Sequence, residues 1–242
     1  MVSKNQIKLI TSLQQKKYRK QYNLFFAEGV KVIQELIDAN YELNDLFTTQ
    51  NDFSNLKKGK IHAITSLELK KISALTTPNT CLATFSIPEN KKSEFNGLIL
   101  ALDSVRDPGN LGTIIRLCDW FGIETLLCSE ETVDVYNPKV VQATMGSLSR
   151  VSVIYCDLEN ELKNAKVPVF GTFMDGKSIY TESLPKEGII VMGNEANGIS
   201  KSIEKIVVER ISIPRFGDLQ LTESLNVATA TAIILNEFKR PN

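Results

Sequence analysis

The sequence predicts an α/β protein with two parts, and three observations lead to that prediction. First, 242 residues with 43% hydrophobic and 23% charged content are typical of a globular chain with one large domain or two modest ones. Second, from residue 97 onward, apolar strand-like runs alternate strictly with helical patterns, which favours a parallel sheet covered by helices. Third, a polar, proline-led segment at 88–93 predicts a linker. We therefore expect domains at 1–90 and 91–242.

The first part is expected to be a small α/β unit. Apolar residues recur at helical spacing in the segment before Asn40, and a Thr-Ser pair at 65–66 can cap a second helix. The predicted helices are Phe26–Asn40 and Thr65–Leu75, and the predicted strands are Asp45–Thr49, Lys60–Ile64 and Cys81–Ile87.

The second part is expected to form a sheet whose strands are buried on both faces, because several of its strand-like runs are continuously apolar. The predicted strands are Leu98–Leu102, Glu124–Cys128, Val151–Tyr155, Val167–Phe173, Gly188–Met192 and Val207–Ile213. The predicted helices are Asn110–Trp120, Pro138–Leu148, Leu158–Asn164, Lys201–Ile206 and Glu223–Phe238.

Composition excludes several classes of protein. The four cysteines are far apart and form no CxxC pair, so we expect reduced thiols in a cytoplasmic protein. His62 is the single histidine, which argues against a histidine-rich metal site or a histidine-dependent triad, and we expect no metal. No apolar run approaches the roughly 18 residues of a membrane span, and the first 22 residues lack the apolar core of a signal peptide. Secretion and membrane insertion are not expected.

Charge is unevenly distributed although the chain has 28 basic and 28 acidic residues. Residues 1–95 hold 14 basic and 9 acidic residues, a net charge of +5, and residues 96–242 hold 14 and 19, a net charge of −5. Six basic residues precede the first acid, Glu28, and Tyr18 and Tyr22 lie among them. Such a segment can follow a phosphate backbone while its rings stack on bases. A solvated N-terminal helix is the alternative interpretation.

One motif match points to a different function. Gly171–Ser178 fits the phosphate-loop pattern GxxxxGK[ST] and follows a predicted strand. The middle of that segment is bulky and contains Asp175, and the residues after it are β-rich and end at Pro185 instead of predicting a long helix. An NTPase is therefore the unlikely alternative.

Three other segments follow predicted strands, where open α/β sheets bind ligands. They lie at 102–116, 190–200 and 211–232. In the first, Asn110 is expected to cap a helix, and Arg116 lies in an apolar stretch where it would need an anionic ligand or a structural salt bridge. In the second, Gly193 would let a flat ligand approach the backbone, or the segment is an ordinary loop. In the third, alanines after Asn226 allow close packing with another segment.

These three segments resemble the motifs of SpoU/TrmH-type RNA 2′-O-ribose methyltransferases of the SPOUT superfamily, in order and spacing. The residues that carry the resemblance are Asn110 and Arg116, then Met192-Gly193-Asn194-Glu195 with Gly198, then Ile213-Pro214 and Ser224-Leu225-Asn226-Val227. The basic run Lys16–Lys20, followed by Phe26-Ala27-Glu28-Gly29, resembles the substrate-binding extension of this family. The resemblance thus covers nearly the whole chain.

The resemblance implies a fold, a cofactor and partners. The catalytic domain would carry a C-terminal trefoil knot, an exception to unknotted topology, and the protein would be a homodimer that uses S-adenosylmethionine. The RNA substrate could be rRNA or tRNA, contacted by Lys16, Lys17, Arg19 and Lys20. Backbone groups of Gly193, Ile213 and Leu225 would bind the cofactor, with Asn194, Glu195, Met145 and Gly146 nearby.

The resemblance also implies roles in the reaction. Arg116 matches the residue assigned as base in the family, but a pKa above 12 suits it better to binding phosphate or stabilising an alkoxide. Asn110, Ser224 and Asn226 would supply neutral hydrogen bonds, and Glu195 could orient Arg116 of its own chain or of a dimer partner. The loop Arg215–Glu223 is longer than is common in the family, which affects the contacts expected of Leu221 and Thr222. A relative that binds RNA but has lost catalysis is the main alternative.

Overall fold

The chain forms two compact units, and each consists of more than one stretch of sequence. The computed structural model describes residues 1–50, 53, 60–89, 96–219, 221 and 224–241. Unit 1 comprises Met1–Asn90 and Asp134–Ser149, and unit 2 comprises Lys91–Val133 and Arg150–Asn242. The predicted boundary lies within 90–95, outside the described residues. Segment 134–149 thus groups with unit 1, although the sequence predicted it as part of the second domain.

The elements are numbered in chain order. The helices are α1 (Lys4–Ser12), α2 (Lys16–Tyr22), α3 (Val30–Asp38), α4 (Ser66–Ile72), α5 (Pro108–Phe121), α6 (Pro138–Thr144), α7 (Leu158–Lys163), α8 (Lys201–Glu204) and α9 (Val227–Lys239). The strands are β1 (Leu24–Glu28), β2 (Leu43–Thr48), β3 (Ile61–Ala63), β4 (Cys81–Ser86), β5 (Leu98–Leu102), β6 (Thr125–Ser129), β7 (Ser152–Cys156), β8 (Val169–Ser178), β9 (Gly188–Met192) and β10 (Glu209–Ser212).

Unit 1 is built on a four-stranded sheet in the order β1-β4-β2-β3. Strand β4 is antiparallel to both β1 and β2, whereas β2 and β3 are parallel. The sheet buries large aromatic side chains, including Phe25, Phe26, Phe47 and Phe85. A core of this kind accounts for most of the stability of so small a unit, because each such ring buries about 150–250 Å².

The helix predicted over Phe26–Asn40 begins four residues late. Residues Leu24–Glu28 form strand β1, and Gly29 at φ 91° separates that strand from α3. The run before Gly29 is apolar at every position except Glu28, so it suits a buried strand as well as a helix. The helix Thr65–Leu75 is confirmed in type, and a capping box between Thr65 and Glu68 starts it at Ser66.

Unit 2 is built on a six-stranded sheet in the order β10-β8-β9-β5-β6-β7, and all of its strand pairs are parallel. This confirms the predicted α/β class with a parallel sheet. Strands β5 and β9 are buried at every position, as expected when helices cover both faces. Helix α9 begins at Val227; its predicted start, Glu223, lies outside the described residues.

Two predicted elements, β8 and α6, end four or more residues from their predicted ends. Strand β8 continues to Ser178 rather than ending at Phe173. In unit 1, helix α6 ends at Thr144 because Met145 and Gly146 adopt left-handed conformations, at φ 52° and 99°, and a short 3₁₀ turn covers Ser147–Ser149. No helix in the described part of the chain has the length and apolar character needed to cross a membrane.

The sheet of unit 2 positions the three segments singled out in the sequence. Strands β5 and β9 are neighbours and end in register, with Leu102 opposite Met192. Strand β10 runs parallel to them at the edge of the same sheet and ends at Ser212. Because carboxyl ends of parallel strands meet at one edge, all three loops begin there, where ligands bind in open α/β sheets.

Candidate functional site

A cavity of about 1190 Å³ opens at this edge of unit 2. The loops after β9 and β10, the residues before α9 and one side of β8 form its wall. Six of the residues predicted for the site lie on the wall together, although they come from segments some 30 positions apart: Gly193, Asn194, Glu195, Ile213, Ser224 and Leu225. The structure therefore brings these six predicted residues together around one cavity.

Gly193 is required by a close approach of two backbone segments. A Cβ atom at this position would lie 2.3 Å from the carbonyl carbon of Gly198 and 2.4 Å from the nitrogen of Ile199. Both are backbone atoms, which cannot move aside as a flexible side chain can. Asn194 and Gly198 exchange two backbone hydrogen bonds of 2.9 Å, so this loop folds back on itself immediately after β9.

The side chain of Asn194 fixes the shape of that loop. Its Oδ1 accepts hydrogen bonds from the backbone N–H groups of Ala196, at 3.0 Å, and Asn197, at 3.1 Å. Its Nδ2 donates to the carbonyl oxygen of Ser104, at 2.6 Å. Asn194 therefore connects the loop after β9 to the loop after β5 and is positioned by both.

Asp103 supports this site but was not among the site residues predicted from the sequence. Asp103 is buried, and its Oδ2 accepts a 2.7 Å hydrogen bond from the backbone N–H of Ser200, while Oδ1 accepts one from the Ser104 hydroxyl. Asp103 thus holds the far end of the loop that Gly193 begins. A carboxylate directly after a buried apolar strand was the available signal, since such a group needs hydrogen-bond donors.

Three predicted side chains form a chain of hydrogen bonds. Asn226 caps α9, because its Oδ1 accepts from the backbone N–H groups of Ala228 and Thr229. Its Nδ2 is therefore the outward group and donates to Oδ1 of Asn110 at 2.8 Å. Asn110 in turn donates through Nδ2 to Oε1 of Glu195 at 3.0 Å. The helix cap at Asn226 thereby sets the orientation of both amides.

Glu195 is held as a carboxylate. Oε1 also accepts from the backbone N–H of Asp107, at 3.3 Å, and Oε2 from that of Arg106, at 3.4 Å. Partial burial raises the pKa of Glu195, but the hydrogen bonds from Asn110 and from backbone N–H groups outweigh it and keep the pKa below its usual value of 4.5. A carboxyl group with a lowered pKa is a poor general base near neutral pH and a stable negative charge.

The cap of α5 differs from the prediction. Asp107, not Asn110, is the N-cap residue, and its Oδ1 accepts a 2.8 Å hydrogen bond from the backbone N–H of Asn110. Pro108 occupies the first helical position, where its missing N–H costs nothing. Placing the cap at Asp107 leaves the Asn110 side chain available for Glu195 and Asn226. An Asp-Pro pair before a helical pattern was the signal for this start.

Arg116 lies on the exposed side of α5, which corrects the expectation that it sits among apolar neighbours. The helix buries Leu111, Ile114, Ile115 and Cys118 on its other side, and Arg116 is exposed. It is not part of the cavity wall. Over the described ranges, no ion pair involves Arg116, and Glu195 accepts hydrogen bonds from Asn110, Asn194 and backbone N–H groups instead. The neighbours in sequence were apolar because they face inward.

Arg19 differs from its prediction in the opposite direction, because it is buried where an exposed side chain was expected. It was predicted to bind RNA, but only 2% of its surface is exposed. Its Nε and Nη2 donate to Oδ2 of Asp134 at 2.9 and 2.5 Å, and its Nη1 donates to the carbonyl oxygen of Leu13 at 2.7 Å. A guanidinium group engaged in this way is not available to phosphate. Lys16, Lys17 and Lys20, predicted with it, are exposed.

Met145 and Gly146 belong to unit 1 and are absent from the wall of the cavity in unit 2. A Cβ atom at Gly146 would lie 2.9 Å from Cγ of Glu35, so this glycine is explained by packing between α3 and the turn after α6. Their predicted place near the cofactor stays a prediction.

The phosphate-loop alternative is wrong. Residues Gly171–Ser178 lie within strand β8 and do not form a loop that leads into a helix. Gly176 is explained by the pairing of β8 with β10, because a Cβ there would lie 2.5 Å from the backbone of Ile211. Lys177 lies near two carboxylates, those of Glu182 and Glu209.

The cysteines and the possible metal ligands bear on the chemistry of the chain. None of the four cysteines forms a disulfide, and Cys81, Cys118 and Cys128 are buried. Burial raises the pKa of Cys118, Cys128 and Cys156, the last to about 11, so these three thiols are poor nucleophiles. Across the described positions, no group of three or more His, Cys, Asp or Glu side chains could hold a metal ion.

Comparison with known proteins agrees with this geometry. The family model described as the SpoU rRNA Methylase family matches residues 97–236, and that of the MRM3-like substrate binding domain matches residues 4–83. The chain is 29% identical to the 23S rRNA (guanosine(2553)-2′-O)-methyltransferase RlmP of Bacillus subtilis (strain 168), over 98% of this chain and 97% of that protein.

Solved structures share the whole architecture. A TrmH-family structure from Porphyromonas gingivalis has a TM-score of 0.90 at 38% identity and covers 98% of both chains. An AdoMet-bound rRNA methyltransferase from Sinorhizobium meliloti has a TM-score of 0.85 at 28% identity, over 99% of this chain and 96% of the other. With a family model that spans more than half of its residues, the chain belongs to the SpoU rRNA methylase family.

Proposed function

We propose that this protein transfers a methyl group from S-adenosylmethionine to a ribose 2′-hydroxyl of ribosomal RNA. The observation that carries the proposal is the hydrogen-bonded chain Asn226–Asn110–Glu195 beside the cavity at the carboxyl edge of the sheet. The relative from Bacillus subtilis that matches over nearly its full length acts on 23S rRNA by its name, which favours large-subunit rRNA over tRNA.

The cavity fits S-adenosylmethionine in size and chemistry. Its volume of about 1190 Å³ exceeds the roughly 300–1,000 Å³ of ordinary ligand pockets, so it has room for the cofactor and part of a nucleotide. The backbones of Gly193, Ile213 and Leu225 would hold the cofactor, and Gly193 presents no side chain. The negative charge of Glu195 complements a sulfonium cation. When bound, the cofactor would supply the methyl group to the ribose oxygen and leave as S-adenosylhomocysteine, and the hydroxyl proton would pass to solvent water.

The polar side chains beside the cavity would position the RNA. Each amide nitrogen of Asn110 and Asn226 uses one hydrogen within the chain of hydrogen bonds, and its second hydrogen has no protein acceptor in the described part of the chain. These hydrogens and the Ser224 hydroxyl can bind ribose, phosphate or the cofactor carboxylate. Arg116, exposed six residues after Asn110 on α5, would bind phosphate or stabilise the developing alkoxide rather than accept a proton.

Helix α2 of unit 1 is the proposed RNA contact. Lys16, Lys17 and Lys20 are exposed on it, and neutralising phosphates with such side chains supplies most of non-specific RNA affinity. Tyr18 and Tyr22 stack on each other with centroids 6.3 Å apart, and the Lys17 ammonium lies 4.6 Å from the Tyr18 ring. Aromatic rings beside cations are suited to bases of unpaired RNA.

A homodimer is part of the proposal. Trp120 on α5 is 84% exposed, and Thr113 and Arg116 are exposed on the same face at positions i−7 and i−4. A tryptophan this exposed is typical of a surface that another chain covers. Trp120→Glu is expected to convert the dimer to a monomer in sedimentation velocity, and a wild-type monomer at micromolar concentration would contradict the proposal.

We place the reaction in the cytoplasm. Support comes from the four free thiols, which stay reduced in that compartment, and from the proposed ribosomal substrate.

The activity is tested with methyl-labelled S-adenosylmethionine and rRNA from a strain that lacks the gene. We expect label in RNA, recovered after nuclease digestion as a 2′-O-methylated nucleoside, and an Asn197→Ala variant as active as wild type, because that side chain lies outside the cavity wall. Label in a base would contradict the proposed acceptor. RNA binding without transfer and without cofactor binding would identify the inactive RNA-binding relative.

A further inference from the structure

Arg19 joins three pieces of unit 1 through one guanidinium group. Its own helix, α2, is the first piece. The end of α1 is the second, because Nη1 of Arg19 donates to the Leu13 carbonyl oxygen at 2.7 Å. The third is segment 134–149, which begins at Asp134, the carboxylate that accepts from Nε and Nη2. Asp134 lies 115 positions after Arg19 in the sequence.

Asp134 is itself fixed in unit 1. Its second oxygen, Oδ1, accepts a hydrogen bond from the backbone N–H of Tyr136 at 3.1 Å. The Tyr136 ring packs on Phe25 of β1 with centroids 4.7 Å apart, and Phe25 is fully buried. Asp134 is therefore a rigid anchor, attached to the core of the unit through its neighbour.

Helix α2 has no other buried anchor. It is seven residues long, and Arg19 is its only buried residue. The N-cap residue Gln15 makes no side-chain cap hydrogen bond. Isolated helices of this length are not stable in water, and α2 has no apolar face to pack. Its position therefore depends on the ion pair between Arg19 and Asp134 more than on hydrophobic burial.

We infer that Asp134 is a positioning residue for RNA binding: through Arg19 it holds α2 so that Lys16, Lys17 and Lys20 face the RNA. This inference rests on the proposed function, in which α2 contacts RNA. It assigns a requirement for RNA binding to an acidic residue, which by its charge alone would repel RNA.

The direction in which one substitution changes the RNA affinity distinguishes this inference from a simple effect of net charge. Asp134→Asn removes a negative charge and weakens the hold on Arg19, because one amide oxygen cannot replace both carboxylate oxygens, which accept from Arg19 and from the backbone N–H of Tyr136. If Arg19 could contact phosphate directly, or if only net charge mattered, the variant would bind RNA more tightly. If Asp134 positions α2, the variant binds RNA more weakly, because two or three lysine contacts are misplaced. The expected loss is about tenfold at constant salt.

Arg19→Lys is a second, independent variant. Lysine keeps the positive charge but cannot donate to Asp134 and Leu13 together in the geometry of a guanidinium group. Weaker RNA binding is expected, whereas a phosphate contact by residue 19 would be largely retained. Glu42→Gln is the matched control for charge, because Glu42 is an exposed carboxylate of unit 1; it is expected to leave binding unchanged or slightly tighter.

The experiment measures the affinity of transcribed 23S rRNA for the full chain by filter binding, at one potassium chloride concentration. Cooperative thermal unfolding and cofactor affinity show which variants are folded. Weaker binding by folded Asp134→Asn supports the inference, and equal or tighter binding overturns it. If Asp134→Asn does not fold, Arg19→Lys decides in the same way.

Lys17→Ala and Lys20→Ala separate this inference from the proposed activity. Each is expected to weaken RNA binding and to lower the salt dependence by about one ion. If both bind RNA like wild type, α2 is not the RNA contact and the inference falls with that assignment. Methyl transfer to rRNA would still test the activity, since it is measured separately.

Discussion

Helices α2 and α5 each carry an arginine that the sequence singled out, and the structure places the two in opposite environments. Arg19 lies in a basic, solvated-looking run but is buried against Asp134 and Leu13. Arg116 lies in an apolar run but is exposed on α5. A short helix of charged residues needs one inward anchor, whereas a helix on a sheet buries its apolar side and leaves polar positions outside. Local composition therefore predicts the environment of an arginine poorly.

The two arginines are therefore suited to different roles, one structural and one in binding an external anion. Arg19 is buried and each of its three guanidinium nitrogens donates a hydrogen bond within the protein, so it acts on structure. Arg116 has no ion pair in the described part of the chain and remains available to an anion from outside. The same difference divides the polar groups of the two units: those around Asp134 are satisfied internally, whereas Asn110 and Asn226 each retain a hydrogen for a ligand.

The largest expected effect tests this contrast through stability. Arg19→Ala leaves Asp134 without its partner and should reduce the free energy of unfolding by about 3–5 kcal/mol. Arg116→Ala removes an exposed side chain and should change that free energy by no more than about 0.5 kcal/mol. Urea denaturation of both variants checks the prediction. Equal losses would mean that the two arginines are not in the different environments described.

Gly193→Ala is expected to have the next largest effect, confined to unit 2. The added Cβ forces the backbone at Gly198 and Ile199 to move, and a shift of about 1 Å at a reacting site can reduce the rate about 100-fold. Methyl-transfer rates and calorimetric titration of S-adenosylmethionine measure it, with Asn197→Ala in the same loop as the control. If Gly193→Ala binds S-adenosylmethionine as tightly as the wild type, this loop is not part of the cofactor site.

Two substitutions of Asn226 separate its structural role from its role in the site. Asn226→Ala loses the cap of α9 and should cost about 1 kcal/mol of stability. Asn226→Asp keeps an oxygen for the cap but cannot donate to Asn110, so it should retain more of the stability and still lose methyl transfer. Thermal unfolding and transfer rates of the two variants are compared. Full activity of Asn226→Asp would show that the hydrogen bond to Asn110 is dispensable.

The smallest expected effect concerns pH. Hydrogen bonds hold the folded-state pKa of Glu195 below 4.5 despite partial burial. Its contribution to stability is therefore complete above about pH 4.5 and is lost as the pH falls through the lower folded-state value. The difference in unfolding temperature between wild type and Glu195→Gln should be constant from about pH 8 to 5 and shrink in more acidic solution. A change near neutral pH would indicate a raised pKa.

Most of the parallel sheet could be predicted from the sequence, because fully buried strands are continuous apolar runs. Leu98–Leu102 and Gly188–Met192 have the predicted bounds. The same property misled in unit 1, where Leu24–Ala27 is apolar at each position and suits either a strand or the start of α3. The assignment of segment 134–149 to unit 1 could not be predicted from the sequence either. It depends on contacts with residues more than 100 positions away. The trefoil knot rests on the family resemblance and stays a prediction.

The site residues could likewise be predicted where local sequence defines them, but not where distant contacts do. Gly193, Asn194, Glu195 and Asn226 could be identified because each belongs to a motif with fixed spacing. Asp103 and Asp107 could not be ranked above other carboxylates, because their importance comes from backbone N–H groups that only the folded chain brings close.

Steady-state kinetics of methyl transfer to rRNA test the central claim most directly, with Arg116→Ala compared with Lys17→Ala and Lys20→Ala. If Arg116 stabilises the developing alkoxide and α2 only binds RNA, Arg116→Ala lowers kcat, whereas the lysine variants raise the KM for RNA and leave kcat unchanged. Arg116→Ala with wild-type kcat, or lysine variants with reduced kcat and unchanged KM, would contradict the account.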